Sequence, residues 1–525
     1  MTTTGVEFSP MKYAFPTLAV LGSAILAGSS GGFAQEAPQG LPQFVTIPIL
    51  QHVTDQAVEN GHFVFAEGAA LPSPLAPNLG TAPYSAAVTS GSTLLTTSTE
   101  RNLSGLFSLS ASYEGETSAA GNSSFLAGFS NHIYPGNCSA GAAPGTVGDC
   151  APIVFIQNAT NGTWSKASVS RTFGGATFGI AFDPGVDYDN AGNFYFSYGA
   201  APLSGNYPNG IAVVKATPSN GVLTLSNPVA VTFNRNRFFD DKYYIAVDRT
   251  TSPNRIYVSW DRNVSNNQIL YIAYSSDGGA TWSSPIKVND GTSAFERVIG
   301  AYPAVDQKSG VVYDSWHDYA KNTIFVDKST SSGVTWATDA AAATTHAGFG
   351  TDIGCVGGRS QGPAHALKVG PTGALYLVYA DPVKGRGFDI LLTKSTNGGA
   401  TWSAPVTLNN DTGAADQFHP TLSVESNGAS GDKITVSFYD RRDDPANCLA
   451  HVYATQSTDG GATWSANVRV TSAQSNFDGN PNGPGDYSSS TPFSSGVWPF
   501  FSDHRSTNAS TATGGGFDVY TAKLQ

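Results

Sequence analysis

Short runs of alternating apolar and polar residues recur along the chain and predict antiparallel β-strands rather than helices. Examples are QILYIAY from Gln268, NTIFVDK from Asn322 and FDILLTK from Phe388. Each run is preceded by a hairpin-like pair of runs and followed by a Gly-rich turn. The pattern therefore predicts units of four short strands, each about 60 residues long.

Four of these units share a turn that ends in tryptophan. The copies are SSDGGATWS from Ser275, STSSGVTWA from Ser329, STNGGATWS from Ser395 and STDGGATWS from Ser457. Three further units carry the strand pattern without the full turn, at 123–165, 194–225 and 497–524. Four-stranded units repeated around an axis form a β-propeller, which hides its sheet edges by closing on itself.

We therefore predict an all-β fold, a propeller of seven blades between Leu106 and Gln525. Six blades is the alternative, if the irregular region before Cys138 is an appendage. The domain is predicted to span 41–525, with an irregular segment at about 51–105. The last unit ends after its third strand, and FVTIPIL from Phe44 resembles a fourth strand that would close the ring.

The charge content limits the classes of binding partner that we expect. Only 13% of the residues are charged and the net charge is −12, with no basic cluster. A nucleic-acid partner is therefore not expected. No phosphate-binding or dinucleotide fingerprint occurs in its required context, and no metal-ligand spacing is present, so we expect neither cofactor nor metal.

Residues 1–34 read as a signal peptide, with Lys12, an apolar run from Tyr13 and GFA before Gln35. No later run approaches the ~18 apolar residues of a membrane span. In an exported protein Cys138 and Cys150 are expected to form a local disulfide, and Cys355 with Cys448 is a candidate second bridge. The protein is predicted to be secreted or periplasmic, and a monomer.

The repeated turn has a local structural explanation. An Asp carboxylate accepts hydrogen bonds from its own turn, glycine permits positive φ, and the tryptophan ring packs between strands. Asn397 replaces the Asp in one copy and Ser331 in another, a drift that a catalytic carboxylate would not tolerate. We interpret these residues as structural: Asp277, Trp282, Trp336, Asn397, Trp402, Asp459 and Trp464.

The turn resembles the Asp-box, or bacterial neuraminidase repeat, of sialidase-like propellers. DDKYYIAVD, YDRRDDP and GDYSSSTPFSSGVWPFFSDHR also resemble segments of exported bacterial proteins of this kind. The resemblance covers about 106–525 and implies that the box lies between the third and fourth strands, away from the ligand face. The opposite face then carries the starts of first strands and the ends of second strands.

Charged residues concentrate at those positions. The candidate catalytic residues are Asp241, Asp440, Asp486 and Tyr487. The candidate substrate-binding residues are Arg262, Arg441, Arg442 and Arg505. Arginine would hold an anionic substituent, and a carboxylate or the tyrosine would perform the bond chemistry.

These features predict a carbohydrate-active protein, a sialidase-like glycoside hydrolase acting on a glycan or glycoconjugate, with acidic glycans as the favoured substrate. The R-I-P motif of sialidases is missing, which favours a non-catalytic propeller that binds a glycan or protein. A polysaccharide lyase is a third possibility and would need a Tyr or His base.

The export signal predicts a defined mature terminus. Intact-mass measurement of protein recovered outside the cytoplasm of a secreting host should give a chain starting at Gln35, because GFA supplies small residues before the cut. Ala34→Lys should block processing at that site. Recovery of an unprocessed wild-type chain would contradict the prediction.

Overall fold

The computed structural model describes residues 95–109, 113–134, 138–139, 141–142, 146–264, 267–291, 297–347, 353–355, 364–383, 385–477, 483–505 and 516–525. The predicted signal peptide and the run from Phe44 lie outside these residues, as does most of the segment predicted to be irregular.

Seven antiparallel sheets, here called blades 1 to 7, follow one another along the chain, which confirms the predicted seven-bladed propeller. Blade 1 contains Thr117–Gly121, Phe125–Ser130, Ile153–Asn158 and Trp164–Ser168. Blade 2 contains Ile180–Tyr188, Phe194–Ala201, Gly210–Ser219 and Val222–Leu225, with Val229–Ala230 beside the third strand. Blade 3 contains Phe238–Asp248, Arg255–Val264, Asn267–Ser275 and Ile286–Lys287.

The remaining blades follow the same plan. Blade 4 contains Val298–Ile299 and Ala304–Val305 as an interrupted first strand, then Val312–Asp318, Thr323–Ser329 and Ala340–Thr344. Blade 5 contains His365–Val369, Leu375–Val383, Gly387–Ser395 and Val406–Thr407. Blade 6 contains Gln417–Ser426, Asp432–Asp440, Leu449–Ser457 and Val468–Arg469, with Ser475–Asn476 beside the third strand. Blade 7 contains Ser489–Phe493, Gly496–Asp503, Asp518–Thr521 and Arg101–Asn102.

Small elements lie outside the blades. They are a one-turn helix Leu103–Leu106, a 3-10 turn Gly428–Ser430 and a short hairpin of Thr172–Phe173 with Ala176–Thr177. No helix among the described residues is long and apolar enough to cross a membrane.

The ring closes through its N-terminal segment. Arg101–Asn102 pairs with Asp518–Thr521 as the fourth strand of blade 7. Upstream, the N–H of Thr96 donates to the carbonyl of Gln525 at 2.8 Å, and the reverse bond measures 2.9 Å. The closing segment is thus 96–102, inside the region predicted to be irregular, whereas the run from Phe44, which the sequence suggested for this role, lies outside the described residues.

Two disulfides, Cys138–Cys150 and Cys355–Cys448, are both formed, which confirms the expected local bridge and the candidate second one. The second bridge joins the connection between blades 4 and 5 to the loop between the second and third strands of blade 6. It therefore ties together neighbouring loops on one face of the ring.

The repeated turn lies between the third and fourth strands of its blade and is closed by its own side chains. In blade 6, Asp459 accepts hydrogen bonds from the N–H and hydroxyl of Thr463, at 2.9 and 2.6 Å, and from the hydroxyl of Ser457. In blade 5, Asn397 accepts from the N–H of Thr401 at 3.0 Å. Every one of these bonds is local to the turn.

The chain itself suggests a test of this turn. Asp459→Asn should leave the unfolding temperature nearly unchanged. In blade 5, Asn397 accepts the same backbone N–H bond and its amide nitrogen donates to the Thr401 hydroxyl, so an amide also closes the turn. Asp459→Ala should destabilise by about 1 kcal/mol or more, because the turn N–H and hydroxyls lose their acceptor. Thermal unfolding measures both variants. Equal losses in the two would show that the carboxylate acts through its charge instead.

Candidate functional site

The first strands of the blades form the inner ring of the propeller. They pack against one another around the whole circle, from blade 1 through blade 7 and back to blade 1. Side chains near the start of these strands therefore meet at the axis, although they come from distant parts of the chain.

A bulge interrupts several first strands near their start. Pairing with the second strand shifts between Phe182 and Gly185 in blade 2, between Asp241 and Tyr244 in blade 3, and between Phe418 and Thr421 in blade 6. The residues inside these shifts have positive φ: Asp183 at 52°, Lys242 at 46° and His419 at 48°. Non-glycine residues rarely adopt this conformation, and such strain concentrates at functional sites.

Corresponding positions in other blades share the conformation. Glu116, directly before the first strand of blade 1, has φ 54°, while blades 4 and 7 use Gly300 and Gly485. Around the inner ring, the chain thus places acidic, basic or glycine residues at left-handed positions.

The bulges bring six ionisable side chains together, and we call this set of residues the axial cluster. It consists of Glu116, Asp183, Asp241, Lys242, Asp261 and Asp486. The Lys242 ammonium lies 2.5 Å from Asp486 Oδ2, 3.5 Å from Asp183 Oδ2 and 3.6 Å from Glu116 Oε1. One cation of blade 3 therefore pairs with carboxylates of blades 7, 2 and 1.

Asp241 and Asp261 lie directly opposite each other on the first two strands of blade 3. Both are fully buried, and among the described residues no donor forms a hydrogen bond with the Oδ2 atom of either one. The equivalent cross-strand pairs are Phe182 with Gly199 in blade 2 and Phe418 with Tyr439 in blade 6. Blade 3 thus carries two carboxyl groups where blade 2 carries a phenylalanine and a glycine and blade 6 carries two aromatic rings.

Burial governs the protonation of the cluster. It raises the pKa of Asp183 well above its ordinary value, despite the opposing charge of Lys242. It likewise raises the pKa of Asp261, helped by the charge of Asp241. Burial alone would lower the pKa of Lys242, but the charges of Asp183, Asp486 and Glu116 outweigh it and raise that pKa. The lysine therefore stays a cation, whereas burial favours the protonated form of Asp183.

Half-buried aromatic residues border the cluster on the inner ring. Tyr244 lies 4.7 Å from Tyr302 and 5.1 Å from Tyr487 between ring centroids, and His365 lies 6.3 Å from Tyr302. We call the partly exposed surface that these four side chains form the axial opening. Asp486, with 12% of its side chain exposed, is the most accessible member of the Lys242 ion pairs.

Tyr487, a candidate nucleophile from the sequence, is held as a phenol. Its hydroxyl donates to the carbonyl of Pro184 at 3.4 Å. Burial raises its pKa well above 10, and the charge of Asp183 adds to the shift. In this arrangement the tyrosine offers a ring face and a hydroxyl rather than a phenolate.

Each of the four candidate arginines lies away from the axial cluster on the same face, where its guanidinium bonds carboxylates or carbonyls of neighbouring strands and loops. Arg262 pairs with Asp240 at 2.6 and 2.9 Å, and Arg505 pairs with Asp503 at 2.5 Å and Glu100 at 2.6 Å.

The two arginines of blade 6 also form hydrogen bonds within the protein. Arg442 grips Asp440 through two bonds of 2.9 and 2.6 Å. Arg441 is fully buried and donates to the carbonyls of Ile353 and Gly354 at 3.0 and 2.8 Å. Arg262, Arg442 and Arg505 also stack on third-strand tyrosines of their own blades.

The structure therefore separates the residues singled out from the sequence. Asp241 and Asp486 meet in the axial cluster with Tyr487 beside them, whereas Asp440 and the arginines join strands and loops to one another.

A surface groove between 411–415 and 442–447 is lined by Asp411, Arg442, Asp443 and Asp444. Asp444 there accepts three backbone N–H bonds of its own loop, so its carboxylate is used to build that loop.

Sequence reasoning missed Glu116 and Asp183. A signal for Asp183 was present: Asp189, Asp248 and Asp306 close equivalent turns after the first strand. Aligning the strands on these aspartates places Asp183, Lys242 and Gly300 in register. Within the described ranges, no group of three or more His, Cys, Asp or Glu side chains is arranged to hold a metal ion.

Comparisons with solved structures return sialidases and a polysaccharide lyase among their matches. A Hadza microbial sialidase matches with 16% identity over 68% of this chain and 66% of that one, at a TM-score of 0.40. An ulvan lyase of a polysaccharide lyase family matches with 11% identity over 78% and 94%, at 0.45. A Trypanosoma rangeli sialidase matches with 12% identity over 79% and 55%, at 0.40.

The chain thus spans about two thirds of the first of these proteins and just over half of the last. No protein-family model and no curated protein matches the chain. The function proposed below rests on the geometry of the axial cluster alone.

The axial cluster makes stability depend on pH. Burial raises the pKa of Asp241 from 3.8 to about 6, so the folded protein holds this proton more tightly than the unfolded chain. The resulting stabilisation is complete below about pH 4 and is lost as the pH rises through 6. Asp241→Asn, which mimics the protonated form, should raise the unfolding temperature at pH 8 and lose that advantage near pH 4.

Asp277→Asn is the control of opposite sign. Hydrogen bonds from the Thr281 side chain and backbone lower the pKa of Asp277 to about 2. Its stabilisation is therefore present above 3.8 and lost as the pH falls through 2, so this variant gains nothing at pH 8. A pH-independent offset for Asp241→Asn would contradict the assignment.

Proposed function

We propose that the protein is an exported carbohydrate-active propeller, a glycoside hydrolase that holds the scissile bond at the axial opening. The observation that carries this proposal is the ion-paired Asp486. It is partly exposed beside three tyrosines and joined through Lys242 to further carboxyl groups. Aromatic rings with a few convergent polar groups are typical of ligand pockets.

The carboxyl separation fits glycoside cleavage. Asp486 Oδ2 and Glu116 Oε1 lie 2.5 and 3.6 Å from the same ammonium, so they are at most about 6 Å apart. Retaining glycosidases place their two carboxyl groups about 5 Å apart, and inverting enzymes place them farther apart.

Roles follow from exposure and charge. Asp486 is the carboxylate that meets the sugar, and the Lys242 ammonium orients it. Burial and the charge of Glu116 both favour the protonated form of Asp183, so the two acidic groups behind Lys242 are the ones proposed to share a proton. Tyr244, Tyr302 and Tyr487 provide ring faces on which a sugar stacks.

The second candidate is a non-catalytic glycan-binding propeller. One observation favours it: Glu116 and Asp183 have no exposed surface, so in this conformation neither touches a ligand directly. Under that alternative the cluster fastens four blades together and only the rim binds sugar. A lyase that uses Tyr487 as its base is less favoured, because the raised pKa keeps the Tyr487 hydroxyl protonated.

A panel of chromogenic glycosides and polysaccharides tests the proposal, with release of aglycone or reducing ends as the readout. Asp486→Asn should lower kcat/KM by roughly 100-fold or more, since it removes the carboxylate that reacts. Asp459→Asn makes the same chemical change in a surface turn and should leave kcat/KM unchanged.

Three outcomes would contradict a hydrolase whose reaction takes place at the axial cluster. Sugar binding without turnover by folded protein would establish the binding propeller. Products that absorb as unsaturated uronates would establish a lyase. Full activity in Asp486→Asn would move the reaction away from the axial cluster, and Glu116→Gln provides an independent check of the same site.

A further inference from the structure

We infer that the axial opening selects sugars by charge, accepting uncharged and amine-bearing sugars and rejecting those that carry a carboxylate. This inference rests on the proposed function, because it assigns a substrate class to the same opening. It departs from the preference for acidic glycans that the sequence suggested.

The first support is the charge of the cluster behind the opening. Five carboxyl groups gather around Lys242, and the ammonium already contacts three of them. Burial raises the pKa of Asp183, Asp241 and Asp261, but the cluster still holds five carboxyl groups against a single ammonium. A carboxylate on an incoming sugar would face this excess of negative charge across a poorly solvated boundary, where charge repulsion is weakly screened.

The second support is that the candidate arginines are already engaged in ion pairs within the protein. Proteins hold sugar carboxylates with guanidinium groups that form paired hydrogen bonds. Arg262, Arg442 and Arg505 each use their guanidinium on an aspartate of their own blade. Freeing any of them for a ligand would leave a buried carboxylate without its cation, at a large cost in stability.

The third support is the rim itself. The side chains that border the opening are Tyr244, Tyr302, Tyr487 and His365. Burial raises the pKa of Tyr244 and of Tyr487, so both remain uncharged phenols. Lys368 lies beside this rim, with its ammonium 5.4 Å from the centre of the Tyr302 ring. It is therefore the described residue to test as a rival contact for an anionic sugar.

Three β-1,4-linked trisaccharides that differ in charge provide the test: those of glucose, glucosamine and glucuronic acid. Calorimetric affinities for the full-length mature protein should fall in the order glucosamine, glucose, glucuronic acid. We expect a ratio of roughly 10-fold or more between the first and last at about 20 mM salt, shrinking at about 500 mM. Asp486→Asn should compress the ratio, and Asp459→Asn should leave it unchanged.

The outcomes separate this inference from the proposed function. If glucuronic acid binds as tightly as glucose or more tightly, the charge selection is wrong while the sugar site stands. Loss of that binding in Lys368→Met would then identify Lys368 as the anion contact. If none of the three sugars binds, the axial opening is not a site for such sugars, and both the inference and the placement of the hydrolase site there fail.

Discussion

One ammonium group, that of Lys242, holds the centre of this propeller together. Closing seven blades into a ring drives the starts of their first strands towards a common axis, where side chains lose their water. Carboxylates of blades 1, 2 and 7 meet there, and each would be costly to bury without a cation. Lys242 meets all three because a left-handed bulge places it between them.

The same constraint explains why so few charges suffice for so large a chain. Most charged residues on the face of the axial opening form ion pairs that join strand ends to loops. The Asp-x-Arg arrangement recurs at the end of the second strand in blades 6 and 7, each time with the guanidinium stacked on a third-strand tyrosine. A charged residue on this face is therefore a weak indication of a functional site. Partial exposure beside a buried ion pair, as at Asp486, is a stronger indication.

Much of the architecture could be predicted because its causes are local. The alternation of apolar residues, the Gly-rich turns and the recurring tryptophan give seven four-stranded units, and the structure has seven. The closing strand was misplaced for an equally physical reason. Arg101–Asn102 is only two residues long and both residues are polar, so its pairing with Asp518–Thr521 leaves no hydrophobic pattern in the sequence.

By itself, the sequence determined the blade type, the blade number, the cysteines available for bridging and the chemistry of the repeated turn. These depend on interactions within one hairpin or one four-stranded unit. The tertiary structure decided which charged residues meet. Glu116 and Asp486 stand at opposite ends of the described chain, and they approach Lys242 because residues 96–102 close the ring and make blade 7 the neighbour of blade 1. No local pattern records that proximity, since it arises from the geometry of a closed circle.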